Sequence, residues 1–194
     1  MASAPHAEDG LRPYPGTCRS HPLPFLRPDA LRFHLPEGPV AWLDRVLGDQ
    51  EDDPNQLTGD PLVHRRDGCY AYHLAVVVDD GAQGVTEVVR GQDLRAVTAT
   101  HVRLQEALGL PRPAYAHLGL VTGPGGQRLG KRDRALGLAL LAHRGVSAAQ
   151  VLGWLGWSLG CQERPEPARL EELAAAFRWD RVPPGPVPVP GDWA

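Results

Sequence analysis

The sequence predicts an α/β fold, with a sheet of largely parallel strands followed by a small C-terminal helical region. Three observations predict it. Strand-like and helix-like segments alternate through the middle of the chain. At 194 residues and 42% hydrophobic content, the chain can bury a core of its own. Helix start and stop residues gather in the last third, around Gly145 and Ser147.

Taken in order, residues 1–13 lack apolar periodicity and read as a poorly ordered N-terminus. Ala30–Leu35 and Val40–Gly48 read as short strands joined by a turn at Pro36-Glu37-Gly38. Cys69–Asp80 is dense in β-branched and aromatic residues; it reads as a buried strand ending in two aspartates, Asp79 and Asp80, which either orient a substrate amine or cap a turn. Val85–Leu94 holds another strand. Thr98 fits the N-cap of a helix carrying Val102, Leu104 and Leu108 and stopped by Gly109 and Pro111. Ala114–Val121 is a further strand, and a glycine-rich loop follows it. Three helical segments come next, over 135–145, 148–160 with Ser147 as its cap, and 167–179. The proline-rich stretch 183–194 reads as a loose tail.

The net charge of −3 does not announce a nucleic-acid binder, but its distribution is uneven. Residues 1–84 hold 7 basic and 13 acidic side chains, residues 85–144 hold 9 and 4, and residues 145–194 hold 4 and 6. A basic middle between acidic ends suits contact with a polyanion; a solvated surface of uneven charge is the plainer alternative. Cys18, Cys69 and Cys161 are odd in number and widely spaced, which excludes a disulfide framework and points to a reducing cytosol. The N-terminus has no apolar signal core, and no apolar run approaches a membrane span.

The stretch Gly123-Pro-Gly-Gly-Gln-Arg-Leu-Gly-Lys-Arg132 contains Lys131, the one lysine among 20 basic residues. Gly125–Lys131 fits the G-x-x-x-x-G-K of a phosphate-cradling loop, with a strand before and a helix after. Arg132, however, stands where a serine or threonine would hold Mg²⁺. A nucleotide hydrolase with such a loop and a plain surface loop both remain open on this stretch alone.

A longer string decides more. Tyr70-Ala-Tyr-His-Leu-Ala-Val-Val-Val-Asp-Asp80, Gly84-Val-Thr-Glu-Val-Val-Arg-Gly91, Ala114-Tyr-Ala-His-Leu118 and Arg128-Leu-Gly-Lys-Arg132 occur in that order at close spacing. Together they resemble the second half of the catalytic domain of the class I glutamyl-tRNA synthetase family. The resemblance covers roughly residues 14–160, and within the family it is greatest to the short paralogue that places glutamate on queuosine of tRNA(Asp). It implies the second half of a Rossmann-type nucleotide-binding domain over 69–145, carrying a KMSKS-like loop. Residues 14–68 would then be a remnant of the zinc- and acceptor-binding insertion, and 146–182 a helical region. The reaction implied is ATP-dependent activation of glutamate and its transfer to tRNA, with ATP, Mg²⁺, L-glutamate and tRNA as partners and no membrane.

By the same resemblance, Tyr72 and Arg90 bind the glutamate. Arginine suits a carboxylate because its planar fork meets both oxygens. Arg128, Leu129, Gly130, Lys131 and Arg132 occupy the KMSKS-like loop, and Lys131 meets the ATP phosphates, where a compact ammonium on a flexible stem follows a moving charge. Arg128 replaces a lysine and Gly130 a serine of the family's loop. Tyr14 and Cys18 match half of a zinc site whose C-x-C half is not found upstream, so Cys18 is alternatively a plain buried thiol. The family's H-I-G-H segment is likewise not found, so the expectation is a chain whose N-terminal half lies elsewhere. The alternatives are a truncated, non-catalytic relative that keeps a nucleotide- or tRNA-binding surface, and the hydrolase above.

Overall fold

A computed structural model of the protein describes residues 13–17, 19, 30–127, 129 and 137–193. They fall into two compact units, one of residues 1–89 and 93–116 and one of residues 90–92 and 117–194.

The first unit is built around a hairpin. Strand β2 (Val40–Asp44) pairs antiparallel with β3 (Gly48–Asp52), from Val40↔Asp52 to Asp44↔Gly48. Asp44, almost fully buried, closes the turn by accepting from the amides of Val46 and Leu47 at 2.9 Å each. Alternation decides which face is covered: Val40, Trp42 and Asp44 are buried, while Ala41 and Leu43 face outward. On its other edge β2 runs parallel to β6 (Ala114–Leu118), with Asp44 opposite Tyr115, and β5 (Glu87–Gly91) completes the order β3-β2-β6-β5. The sheet is therefore mixed rather than parallel. The reason is local: Asp44 and the short Arg45–Leu47 turn end the expected 40–48 strand early and fold Gly48–Asp52 back against it as a hairpin.

Helix α3 (Thr98–Leu108) lays Ala99 and Val102 against Val40, Trp42 and Tyr115, with Val88 at the margin. Trp42 and Tyr115 meet edge to face, their ring centroids 5.9 Å apart. Thr98 is the first residue of α3 and not its cap; Val97 precedes it without a capping side chain, because the six-residue 3₁₀ segment Gln92–Val97 already leads the chain into the helix.

The largest departure from expectation is at residues 72–83. This segment is not a strand but helix α2 (Tyr72–Gln83), closed by Gly84 in the left-handed region at φ 69°. Val77 is its buried residue, and Gly81 lies where an added Cβ would come within 3.0 Å of Leu110. Positions 77 and 81 are one helical turn apart, so the spacing that is buried is helical. A small antiparallel pair, β1 (Leu31–Arg32) with β4 (Leu62–His64), and a one-turn helix α1 (Pro54–Leu57) capped by Asp53, complete this unit.

The second unit is helical. It holds α4 (Leu138–His143), α5 (Ala148–Ser158) and α6 (Leu170–Ala176). Ser147 caps α5 with a full capping box through Gln150, as its sequence predicts. Gly153 admits the chain at Glu166 so closely that a methyl group there would strike the Glu166 carbonyl oxygen. The proline-rich tail is not loose. β8 (Val187–Pro188) runs parallel to β7 (Val121–Thr122), and Val189 and Trp193 are buried with Leu141 and Trp154. No helix of the described residues is long and apolar enough to cross a membrane.

Candidate functional site

Tyr72 opens α2 in the first unit, half exposed, at the point where the chain enters the helix from Ala71. Its ring lies beside two imidazoles, with centroids 5.6 Å from His73 and 5.9 Å from His101. His73 Nδ1 and His101 Nε2 are 3.0 Å apart, so one of the two nitrogens carries the shared proton. His101 is buried on the inner face of α3; one position before it, Thr100 Oγ1 lies 2.7 Å from Thr58 Oγ1. The Tyr72 ring thus stands against a hydrogen-bonded histidine pair at the helix entrance.

Asp79 and Asp80 do not end a strand. They lie in the third turn of α2, and the Asp80 carbonyl accepts from the amides of Gly84 and Val85 at the helix end. Their expected place at the mouth of a strand is therefore overturned with the strand itself.

Arg90 lies on β5 and belongs to the second unit. Its Nε donates to Nε2 of His117, on β6, at 3.0 Å. His117 is fully buried. An imidazole nitrogen that accepts is unprotonated, so His117 is neutral with its proton on Nδ1. Leu129 packs at the edge of the Leu141–Trp154–Val189–Trp193 core. The other predicted loop residues, Arg128, Gly130, Lys131 and Arg132, lie outside the described residues, as does Cys18.

Tyr14 forms an isolated parallel bridge with Gly59, and the Arg32 guanidinium lies 4.0 Å from its ring centre. A cation stacked there is a poor neighbour for a dication, and among the described residues no three His, Cys, Asp or Glu side chains come together as a metal site. The described residues thus do not make up a zinc ligand set. Close by, Arg19 grips Asp60 with both ends of its fork, Nε to Oδ2 at 2.7 Å and Nη2 to Oδ1 at 2.6 Å. Those bonds, together with the Leu35 amide, hold the Asp60 carboxyl below the usual carboxylate range, against the opposing effect of burial.

The basic middle of the chain is less available than its formal charge suggests. Arg95 pairs with Asp52 at 3.2 Å, and Arg103 and Arg112 both pair with Glu106, at 3.1 and 2.8 Å.

Three histidines were not singled out by sequence reasoning. His101 carries the one visible signal: it falls among Thr98, Val102 and Gln105 on the buried stripe of α3, a position that demands a partner for its ring. His73 and His117 stand beside residues that drew attention for other reasons.

Comparison with known proteins gives consistent matches. The family described as "tRNA synthetases class I (E and Q), catalytic domain" matches residues 26–182. A glutamyl-Q tRNA(Asp) synthetase from Geobacter sulfurreducens is 48% identical over 184 residues, covering 92% of this chain and 56% of the relative. One from Symbiobacterium thermophilum is 42% identical over 205 residues, covering 99% of this chain and 62% of the relative. Among solved structures, the glutamate-tRNA synthetase of Elizabethkingia anophelis superposes with a TM-score of 0.70 at 26% identity, covering 84% of this chain and 37% of that one. A glutamate tRNA ligase from Elizabethkingia meningosepticum, solved in complex with its amino acid, matches at the same TM-score and identity. The chain thus spans little more than half the length of the curated relatives it matches.

Proposed function

Because the chain belongs to the catalytic-domain family of class I glutamate and glutamine tRNA synthetases, we propose that it takes part in ATP-dependent activation of glutamate and its transfer to tRNA, on queuosine of tRNA(Asp). The observation that carries this reading is Arg90, a guanidinium fixed on a sheet strand by a buried neutral histidine. The planar fork of a guanidinium suits the carboxylates of an acidic amino acid.

In the reaction, an oxygen of the glutamate α-carboxylate attacks the α-phosphorus of ATP, the bond to the leaving pyrophosphate breaks, and the resulting acyl adenylate passes its glutamyl group to a tRNA hydroxyl as its bond to AMP breaks and AMP leaves. No protein nucleophile is needed; alignment and neutralisation of phosphate charge supply the rate. Arg90 and Tyr72 bind the glutamate, and Lys131 meets the departing phosphates. Mg²⁺ enters with ATP as part of the substrate. The basic stretch from Arg90 to Arg144 meets the tRNA backbone, so binding weakens as salt rises.

Glutamate-dependent exchange of labelled pyrophosphate into ATP by the purified chain tests the activation step. Transfer of labelled glutamate to tRNA(Asp) with and without queuosine tests the acceptor. ATP hydrolysis that needs no amino acid would overturn both steps. A chain that binds tRNA and glutamate yet gives no exchange is a binding module and not the activating enzyme.

A further inference from the structure

We propose that His117 is a positioning residue for substrate carboxylate recognition, fixing the Arg90 guanidinium through its Nε; this rests on the reading that Arg90 binds the glutamate. Nε2 of His117 accepts from Arg90 Nε at 3.0 Å across neighbouring strands β6 and β5. With Nε engaged, the side-on edge of the guanidinium that uses Nε is occupied. His117 thereby sets the plane in which the Arg90 guanidinium meets a carboxylate.

The residue type matters. An aspartate or glutamate at position 117 would also accept from Nε, but it would cancel the charge that draws an acidic substrate. A lysine or a second arginine would repel Arg90. A neutral imidazole orients the guanidinium without bringing a charge of its own. Complete burial of His117 keeps water from competing for Arg90 Nε. An arginine side chain has four rotatable bonds, and an anchored Nε removes most of that freedom before the ligand arrives, which is where preorganisation raises affinity.

The experiment uses the full chain and isothermal titration with glutamate and, separately, with ATP. His117→Leu is expected to weaken glutamate binding about tenfold to a hundredfold while leaving ATP binding within about twofold. His117→Gln, whose Oε1 reaches the same distance as the imidazole Nε2, is expected to restore glutamate binding to within about threefold of the unsubstituted chain. Should His117→Leu not fold, His117→Asn gives the same comparison, because its acceptor is one methylene short of Arg90 Nε. Glutamate binding by His117→Leu or His117→Asn equal to the unsubstituted chain overturns the inference, as does parallel loss of glutamate and ATP binding, which marks a merely structural role. Arg90→Ala separates the two levels. If it binds glutamate normally, or if the unsubstituted chain binds none, the substrate reading fails and this inference falls with it. If Arg90→Ala loses glutamate and His117→Leu does not, only the positioning role is wrong.

Discussion

His73 Nδ1 and His101 Nε2 stand 3.0 Å apart, joining the first turn of α2 to the buried face of α3. The bond ties a solvent-facing helix entrance to the interior, and Tyr72 leans on both rings. A double-mutant cycle with His73→Ala and His101→Leu should show a coupling of about 1 kcal/mol in urea unfolding. His101→Leu alone should cost about 2 kcal/mol, a Tm drop of about 4–8 °C in a chain of this length. His101→Gln, which keeps a hydrogen-bonding group in reach, should cost less than half of that. Full additivity of the two substitutions would mean that the two rings are neighbours without being partners.

Asp60 gives the pH dependence of stability its sign. Its folded carboxyl is held below the ordinary range, chiefly by the Arg19 side chain, so protons bind it more readily in the unfolded chain. Its contribution is therefore complete above the unfolded value of about 4 and fades as pH falls through the lower folded value. Asp60→Asn should destabilise the chain at pH 7 by about 2 kcal/mol. The variant should also lose less stability between pH 5 and pH 3 than the unsubstituted chain does, a difference visible in thermal melts across that range. Parallel acid limbs in the two proteins would show that Asp60 is not the titrating group.

The tail carries a third expectation. Val187 donates to Leu120 and Val189 to Thr122, at 3.0 and 2.9 Å. In a parallel ladder only alternate residues donate to a given neighbour, and Pro186, Pro188 and Pro190 occupy the positions from which no donor is asked. Proline is thus compatible with this strand, and its fixed φ lowers the entropy lost on ordering. Trp193, buried and 5.8 Å from the Trp154 ring centre, seals the second unit's core. Trp193→Ala should cost about 3–5 kcal/mol, and deletion of residues 187–194 should abolish the cooperative unfolding transition of the helical unit. A truncated chain with an unchanged transition would return the tail to the status of a loose end.

These cases mark what the sequence makes legible. Ser147, Gly109 and the strand cores around Val88 and Ala116 carry local signals strong enough to survive any tertiary context. Cys69–Asp80 does not: Val76-Val77-Val78 is apolar on every face, and a continuous apolar run is periodic with neither strand nor helix. Gly84, in the left-handed region one residue after Gln83, is the helix-end signal that favours α2. Proline-rich composition suggests a loose tail, whereas the register places Pro186, Pro188 and Pro190 where a missing N–H costs nothing. Tyr72 and Arg90 are visible as residue types in a family pattern. Their supports His73, His101 and His117 are not, because a supporting histidine is defined by the strand or helix packed beside it and not by its own neighbours in sequence.

Lys131 makes the sharpest prediction for activity. It is the single lysine in a chain whose other 19 basic residues are arginine, so general basicity does not account for it. If its ammonium follows the phosphates as pyrophosphate leaves, charge alone is not sufficient. Lys131→Arg keeps the charge but presents a wide, flat fork in place of a compact group with three rotating donors. Lys131→Ala should lower glutamate-dependent pyrophosphate exchange by about two to three orders of magnitude, the scale seen when one preorganised donor to developing charge is removed. Lys131→Arg should recover only a minor part of that loss. Neither should change glutamate affinity, since the interaction is made to ATP as the bond breaks and not to the amino acid. Exchange by Lys131→Arg equal to that of the unsubstituted chain would show that position 131 needs a positive charge of any shape. Undiminished exchange by Lys131→Ala would remove the loop from the chemistry altogether, whatever Arg90 and Tyr72 hold.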